Sequence, residues 1–442
     1  MIRVSTDGHG FTDSDTGRRF VPFGANYFDP KTGWAPKIWS RYDHERVERQ
    51  LGQIAGAGFN CIRVFLDFKT LAPAERQYSE EGFDKVDDMV GIADKLGIRI
   101  IFSGPSSWEG PPAYLSGDEY ADPRRMDLTC DMLAQLAARY GKDPTVMTWD
   151  LRNEPMVRFL TRDDPDAGPR LALWQAHAKE RLGIEADDFP TWKHSELGVL
   201  REYVRFLEGL ADNWVRRQVE ALRQSGAKNL ISVGNIQWVV PIHIGHWASY
   251  PAFNVRSMSR YLDYMSIHFY PMLLRHREGI QQELALQKIY LEIVCRGGRV
   301  EGKPLVLEEF GWKGGKQVPK DHKAWPQEEQ VIWGEALMEV SSRVASGWLN
   351  WGYADAADPA ADISAASGLW TEDEELKLWG RRFAEYARRY QQDPPPYAPA
   401  GKQWTLDKVA FLKEHNGLPT MQPLADMLAA DPVDSVELVF RE

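Results

Sequence analysis

Apolar and polar positions along this chain follow two different periods, and the switch between them repeats. Apolar residues three or four apart appear at Val47, Leu51 and Ile54 behind a capping Asp43. They recur at Phe83, Val86, Val90 and Ala93 ahead of Gly97, and at Leu128, Met132, Leu133 and Leu136 ahead of Gly141. This spacing predicts amphipathic helices, and a glycine beyond the last apolar position ends the second and third of them. Between the helices lie continuous apolar runs, the pattern of a parallel sheet buried on both faces. They predict strands beginning near Phe20, Phe59, Ile98, Thr145, Asn229, Asp263, Pro304 and Gly347. All but one of the intervals suit a helical crossover between parallel neighbours. Eight such units favour an α/β fold closed into a (β/α)8 TIM barrel. No G-x-G-x-x-G follows the first strand to support a dinucleotide-binding sheet.

Three stretches depart from the repeat. Residues 1–21 predict a hairpin, with Ile2-Arg3-Val4 and Arg19-Phe20-Val21 flanking a turn-rich segment and covering the barrel floor. The interval of 84 residues between Thr145 and Asn229 predicts an insertion over residues 156–198, with a helical piece from Leu171 to Leu182. It follows Glu154 directly, so it is expected over the active-site face as a lid or wall, or else as an oligomer contact. The last helix, Glu374 to Tyr390, runs into Asp393-Pro394-Pro395-Pro396, a stiff connector. The barrel is therefore expected over residues 1–392. Residues 393–442 are too few for a core of their own and should pack on the barrel or on a neighbouring subunit.

The net charge of −11 argues against nucleic acid or an anionic membrane as partner, because both need a basic surface. A neutral substrate fits it better. No segment reaches the length of a transmembrane helix, and no leader-like apolar run opens the chain, which points to the cytoplasm. Three cysteines, Cys61, Cys130 and Cys295, read as packed, reduced thiols. Aromatic residues are abundant, with 17 Trp, 16 Tyr and 18 Phe. Trp34, Trp39, Trp108, Trp238, Trp312 and Trp351 stand at or just after strand ends, where side chains line a pocket.

Chemistry in such a barrel forms at the carboxyl ends of its strands. Those ends present Asn26 and Tyr27, Arg63, Ser103 to Trp108, Asn153 and Glu154, Asn235 to Trp238, His268 and Tyr270, Glu309, and Trp351. Two carboxylates, an arginine and an imidazole are among them, without a serine elbow or a phosphate-cradling loop. His243 and His246 form H-x-x-H, but no acid stands at a zinc-site spacing, and no cofactor or metal is expected. Two carboxylates suit acetal cleavage, one donating a proton to the leaving oxygen and the other attacking the anomeric carbon. Glu154 is the expected acid, with Trp149 nearby to desolvate it. Glu309 is the expected nucleophile, held ionised by Arg63, whose guanidinium interrupts an apolar run and needs an acidic partner. Alternation puts Glu308 and Glu309 on opposite sides of their strand. Glu309 is chosen because Leu305 and Leu307 share its side.

This ordered set resembles the retaining glycoside hydrolases of clan A, and most closely glycoside hydrolase family 5. The resemblance rests on Asn153-Glu154-Pro155, Glu309-Phe310-Gly311, Arg63, His268-Phe269-Tyr270 and Trp351, and covers about residues 20–390. It implies Glu154 as acid/base and Glu309 as nucleophile. It also implies Asn153 reading the sugar's 2-hydroxyl, Arg63 and Tyr270 orienting the nucleophile, His268 lining the same subsite, and Trp351 as its aromatic floor. Asn26, Trp108 and Trp238 are further candidates for substrate contact. The chain departs from the family in Ser103-Gly104-Pro105-Ser106 where many members carry a histidine, and in Glu308, where the residue before the nucleophile is often small.

The sequence therefore predicts a retaining β-glycosidase acting on β-mannosides or β-glucans, with a carbohydrate as its partner. Three alternatives stand beside it: an exo-acting β-galactosidase-like enzyme of the same clan, a carbohydrate-binding barrel without catalysis, and a metal-dependent barrel hydrolase.

Overall fold

A computed structural model describes residues 1–441 apart from 108, 166, 243–249, 273–278, 319–323, 358–362, 418–420 and 434. Trp108, His243 and His246 lie outside the described residues. The first three strands, β1 (Ile2–Val4), β2 (Phe11–Asp13) and β3 (Arg19–Phe20), form an antiparallel sheet in the order β1-β2-β3. The expected two-stranded hairpin is thus a three-stranded meander. Its middle strand is short and lies inside the turn-rich stretch, so it left no run of its own in the sequence.

Eight parallel strands close the barrel: β4 (Phe23–Asn26), β5 (Cys61–Asp67), β6 (Arg99–Ser106), β7 (Val146–Asn153), β8 (Leu230–Asn235), β9 (Met265–Phe269), β10 (Leu305–Phe310) and β11 (Gly347–Trp351). Each pairs with its sequence neighbour, and β11 returns to β4. Phe20 belongs to β3 and not to the first barrel strand, which begins after Pro22. Inside the barrel, Cys61, Ile101, Met147, Leu230, Tyr264, Val306 and Leu349 form one apolar cluster, which Ile2 and Phe11 complete. The small sheet therefore closes the floor, leaving the other end of the barrel for chemistry.

The helices arise from local signals that agree with this packing. His44–Gly56 starts where the Asp43 side chain accepts a hydrogen bond from the Arg46 amide, and it buries Val47, Leu51 and Ile54. Burying each such side chain contributes about 1.5–3 kcal/mol. Glu80–Lys95 is capped by Ser79 and Pro123–Tyr140 by Asp122, both as side-chain acceptors. Gly97, with φ of +70°, turns the chain from the second of these helices into β6. The last barrel helix begins at Leu378, not at Glu374, which has a left-handed backbone.

The long interval after β7 holds two helices, Ala167–Leu182 and Leu197–Gln224. Trp174 of the first packs against Tyr203 and Phe206 of the second, with ring centroids 4.9 and 5.6 Å apart. A buried Arg170–Asp118 pair at 2.6 Å ties the insertion to the loop after β6. The Val157 amide, bonded to the Pro251 carbonyl, ties it to the segment after β8. Beyond the prolines, β12 (Lys402–Asp407) and β13 (Val436–Arg441) pair in parallel. β13 sits against helix Leu284–Gly298, where Ser435 donates to Glu292, and the short helix Lys408–Glu414 after β12 packs on Leu197–Gln224 through Lys408–Glu208 at 2.6 Å.

Candidate active site

Alternation along a strand sends successive side chains to opposite faces, and a bulge breaks that rule by adding one residue. Two bulges build this site. On β10, Leu307 pairs with Ile267 of β9 but Glu309 pairs with His268, so two steps on one strand match one on the other. Glu308 and Glu309 consequently both reach Arg63, at 3.5 and 2.5 Å. This corrects the expectation that only one could face the axis. The ground for choosing Glu309 was also wrong, since Val306, not Leu305 or Leu307, belongs to the inner cluster. On β7, Asp150 pairs with Ser232 and Asn153 with Gly234, three steps against two. Asp150 and Asn153, of opposite parity, therefore both bond the same guanidinium.

Arg63 is the hub. Its Nη1 donates to Asn26 Oδ1 at 2.9 Å and to Glu309 Oε1 at 2.5 Å. Its Nη2 donates to Ser103 Oγ at 3.0 Å, Asp150 Oδ2 at 2.6 Å and Asn153 Oδ1 at 2.8 Å. Burial works against its charge, but Asp150 first and then Glu309 outweigh this and hold it firmly protonated. The strand pairing Asn26 with Arg63 explains the first bond. Asn26 itself has no accessible surface, and its amide nitrogen donates to the Glu308 and Asn350 carbonyls. It supports Arg63 and has no surface open to the substrate contact expected of it.

The mouth is formed by Glu154, Glu309, His268 and Tyr270. Glu154 follows the last residue of β7 with φ of +46°, a left-handed conformation that costs a non-glycine residue roughly 1–2 kcal/mol. Its amide donates to the Gly234 carbonyl at 2.8 Å, which fixes the turn. His268 Nδ1 lies 3.0 Å from Glu154 Oε1 and 3.5 Å from Glu309 Oε2. Burial lowers the imidazole to about 4, with Arg63 adding to the effect, so His268 is neutral near pH 7. The Tyr270 hydroxyl donates to Glu309 Oε2 at 3.0 Å. Gln237 grips the Tyr270 backbone through both its amide atoms, at 2.7 and 3.0 Å. Burial pushes the Glu309 carboxyl above its ordinary value, and Arg63 pulls it back.

Aromatic side chains close one wall. Trp351 donates from its indole to Ser364 Oγ at 2.8 Å and packs with Phe28, Trp34 and Phe65. Trp238 stands just after β8 in the turn Gln237–Val239, only 3% exposed and part of the core. Trp149 does not shield Glu154 as expected. It faces the helical layer, against Phe102 and Asn229.

Asp150 and Gly234 were missed from sequence, and Gln237 stood in the strand-end stretch Asn235 to Trp238 without a role of its own. A charged Asp150 inside an apolar run was the signal for the first, the same signal that singled out Arg63. Gly234 gave none. A Cβ there would lie 2.9 Å from Arg63 Nη2, 3.0 Å from Asp150 Oδ2 and 3.0 Å from His268 Nε2. Gly234→Ala should therefore preserve the barrel but displace all three groups. Steady-state kinetics should show kcat/KM lower by about 10- to 100-fold with an unchanged far-UV spectrum; wild-type rates would contradict this packing.

Glu154, His268 and Glu309 place their ligand-type atoms within 4.8 Å of one another. Such a trio resembles a cation site, but Arg63 already stands 2.5 Å from Glu309 and would repel a divalent ion. The spacing instead suits sugar chemistry. Direct attack by the second carboxylate requires groups about 5–5.5 Å apart, whereas inverting enzymes need roughly 6.5–9.5 Å to admit a water.

The model of the cellulase family, glycosyl hydrolase family 5, matches residues 16–356. The chain belongs to that family. This family 5 enzyme is a retaining β-glycoside hydrolase that works with two glutamates. It is similar to a mannan endo-1,4-β-mannosidase A from Podospora anserina, 22% identical over 77% of this chain and 82% of the relative. Among solved structures it resembles the exo-β-1,4-mannosidase Op5Man5 from Opitutaceae bacterium strain TAV5. The TM-score is 0.71 and the identity 19%, with 99% of this chain and 72% of that chain covered. It also resembles a variant of GH5_18 from Streptomyces cattleya in complex with Manb1-4GlcNAc. There the TM-score is 0.69 and the identity 18%, covering 95% of this chain and 94% of that one. These likenesses establish the (β/α)8 fold of the family 5 enzyme. No helix among its described residues is long and apolar enough to cross a membrane.

Proposed function

We propose that Glu154 is the acid/base and Glu309 the nucleophile of this family 5 enzyme, and that it cleaves β-mannosides. The observation that carries the assignment is that one carboxyl oxygen of each glutamate lies within 4.8 Å of the other, with His268 Nδ1 3.0 and 3.5 Å from the pair. Glu309 attacks the anomeric carbon while Glu154 gives its proton to the departing glycosidic oxygen, leaving a glycosyl ester on Glu309. Glu154 then takes a proton from water, which displaces Glu309 and restores both groups. Arg63 and Tyr270 each donate to Glu309, which favours its anionic form and holds its oxygens in place. Asn153, oriented by Arg63, stands beside Glu154 to read the 2-hydroxyl, and Trp351 offers a flat apolar face to the ring.

Mannose is preferred because two of the relatives named above are a mannan endo-1,4-β-mannosidase and an exo-β-1,4-mannosidase, and the third was solved with Manb1-4GlcNAc. A panel of nitrophenyl β-mannoside, β-glucoside and β-galactoside tests this. The mannoside should give a kcat/KM at least about 10-fold above the others, the discrimination a few hydroxyl contacts supply. A faster glucoside or galactoside would overturn the sugar assignment and leave the mechanism intact. A 2-fluoro glycosyl fluoride should trap an ester on the peptide containing Glu309; label on another residue would displace it as nucleophile.

A further inference from the structure

Three carboxyl groups converge on one guanidinium beneath the mouth. Arg63 meets Glu309 at 2.5 Å, Asp150 at 2.6 Å and Glu308 at 3.5 Å, and Arg63, Asp150 and Glu308 have no accessible side-chain surface. One positive charge cannot balance three negative ones away from water, and buried charge without compensation is strongly disfavoured. A proton on one carboxyl relieves the excess, and the hydrogen bonds indicate which one. Asp150 is surrounded by donors: Arg63 Nε and Nη2 on one oxygen, the Gly234 amide at 2.6 Å on the other. Glu309 receives Arg63 and Tyr270. Glu308 Oε1 accepts from the Tyr264 hydroxyl at 2.5 Å and Ser232 at 3.3 Å, while Oε2 makes no close hydrogen bond, with Arg63 Nε 3.5 Å away and the Ser266 hydroxyl beside it, the weakest set of donors among the three acids.

We propose that Glu308 is a positioning residue held as a neutral acid, which leaves Arg63 to Asp150 and Glu309, and that its ionisation sets the upper pH limit of the enzyme. Once ionised, Glu308 competes for the guanidinium and adds a negative charge next to the nucleophile. The role rests on the reading of Glu309 as nucleophile. Around Glu308, the charged and titratable groups are Arg63 and Cys61 on β5, Asp150 on β7, Tyr264 at the entrance to β9 and Glu309 on its own strand. The polar neighbours from β4, β8 and β9, Asn26, Ser232 and Ser266, are uncharged. Burial and the charge of Asp150 raise the Glu308 carboxyl to about 7, with Arg63 opposing them. The sign for stability follows. Between the ordinary value of 4.5 and about 7 the folded chain keeps a proton that the unfolded chain has lost, so this group makes stability fall as pH rises through that window.

Glu308→Gln mimics the protonated form and removes the titration. Its kcat/KM below about pH 6 should stay within about threefold of wild type, and the alkaline limb of its profile should move up by about one pH unit. Its thermal midpoint should lose the decline between about pH 5 and pH 7. A merely structural Glu308 would lower the midpoint and leave the alkaline limb in place, which would overturn the proposal. Should Glu308→Gln fail to fold, Tyr264→Phe replaces it: losing the hydroxyl that favours the ionised carboxylate should also move the limb upward, and a limb unmoved or lowered refutes the role. Coincident pH profiles sink only Glu308, whereas turnover persisting in Glu309→Ala sinks the nucleophile assignment itself.

Discussion

Glu309→Ala should lower kcat by about 10^5-fold on every β-glycoside the enzyme cleaves, the scale of loss seen when an enzyme's nucleophile is removed. Nothing nearby can substitute. Glu308 reaches Arg63 but lies below the mouth without accessible surface, and Asp150 is bound by the guanidinium and the Gly234 amide. The fold should survive the change, because Arg63 retains Asp150, Asn26 and Asn153 as partners. Substrate binding should persist, since the Trp351 wall is untouched. The check is single-turnover kinetics together with a binding titration on the same preparation. Residual turnover near the wild-type rate would exclude Glu309 as the attacking group.

Glu154→Gln should produce a loss that depends on the leaving group. Nitrophenolate departs without a proton, so kcat/KM for an activated aryl glycoside should fall by only about 10-fold. A sugar alcohol needs the proton, and the loss on an oligosaccharide should reach about 10^3- to 10^4-fold. The backbone should hold its shape, because the left-handed turn at residue 154 is fixed by the hydrogen bond its amide donates to the Gly234 carbonyl and not by the carboxyl. His268, neutral near pH 7, keeps a hydrogen-bonding partner in the glutamine. Equal losses on both substrates would remove Glu154 from the role of acid.

Both predictions concern residues legible in the sequence, each at the end of an apolar run with turn-forming neighbours. The barrel was legible for the same reason: its strands begin within about three residues of where the apolar runs begin. Arg63 was legible as a buried charge in need of a partner, and the structure gives it Asp150 and Glu308 as well as Glu309. Glu308 was not assigned because strict alternation turns it away from the side of Glu309, and Asp150, also a charge inside an apolar run, was passed over. The bulges after Leu307 and Asp150 undo that parity, and a bulge depends on the register against the neighbouring strand. Trp149 was misplaced for the same kind of reason: nearness in sequence to Glu154 said nothing of which side of β7 its ring would take.

By itself the sequence determined the local and periodic features: helices with their caps, eight buried strands, and a catalytic end rich in carboxylates and aromatic rings. These follow from short-range physics, the period of apolar residues and the conformational preferences of glycine, proline and capping side chains. Only the tertiary structure decided which atoms meet. It set the shift of β10 against β9, brought three acids to one guanidinium, and left Gly234 no room for a side chain. Those contacts join residues far apart in the chain, so their geometry comes from closing the barrel as a whole and not from any one segment.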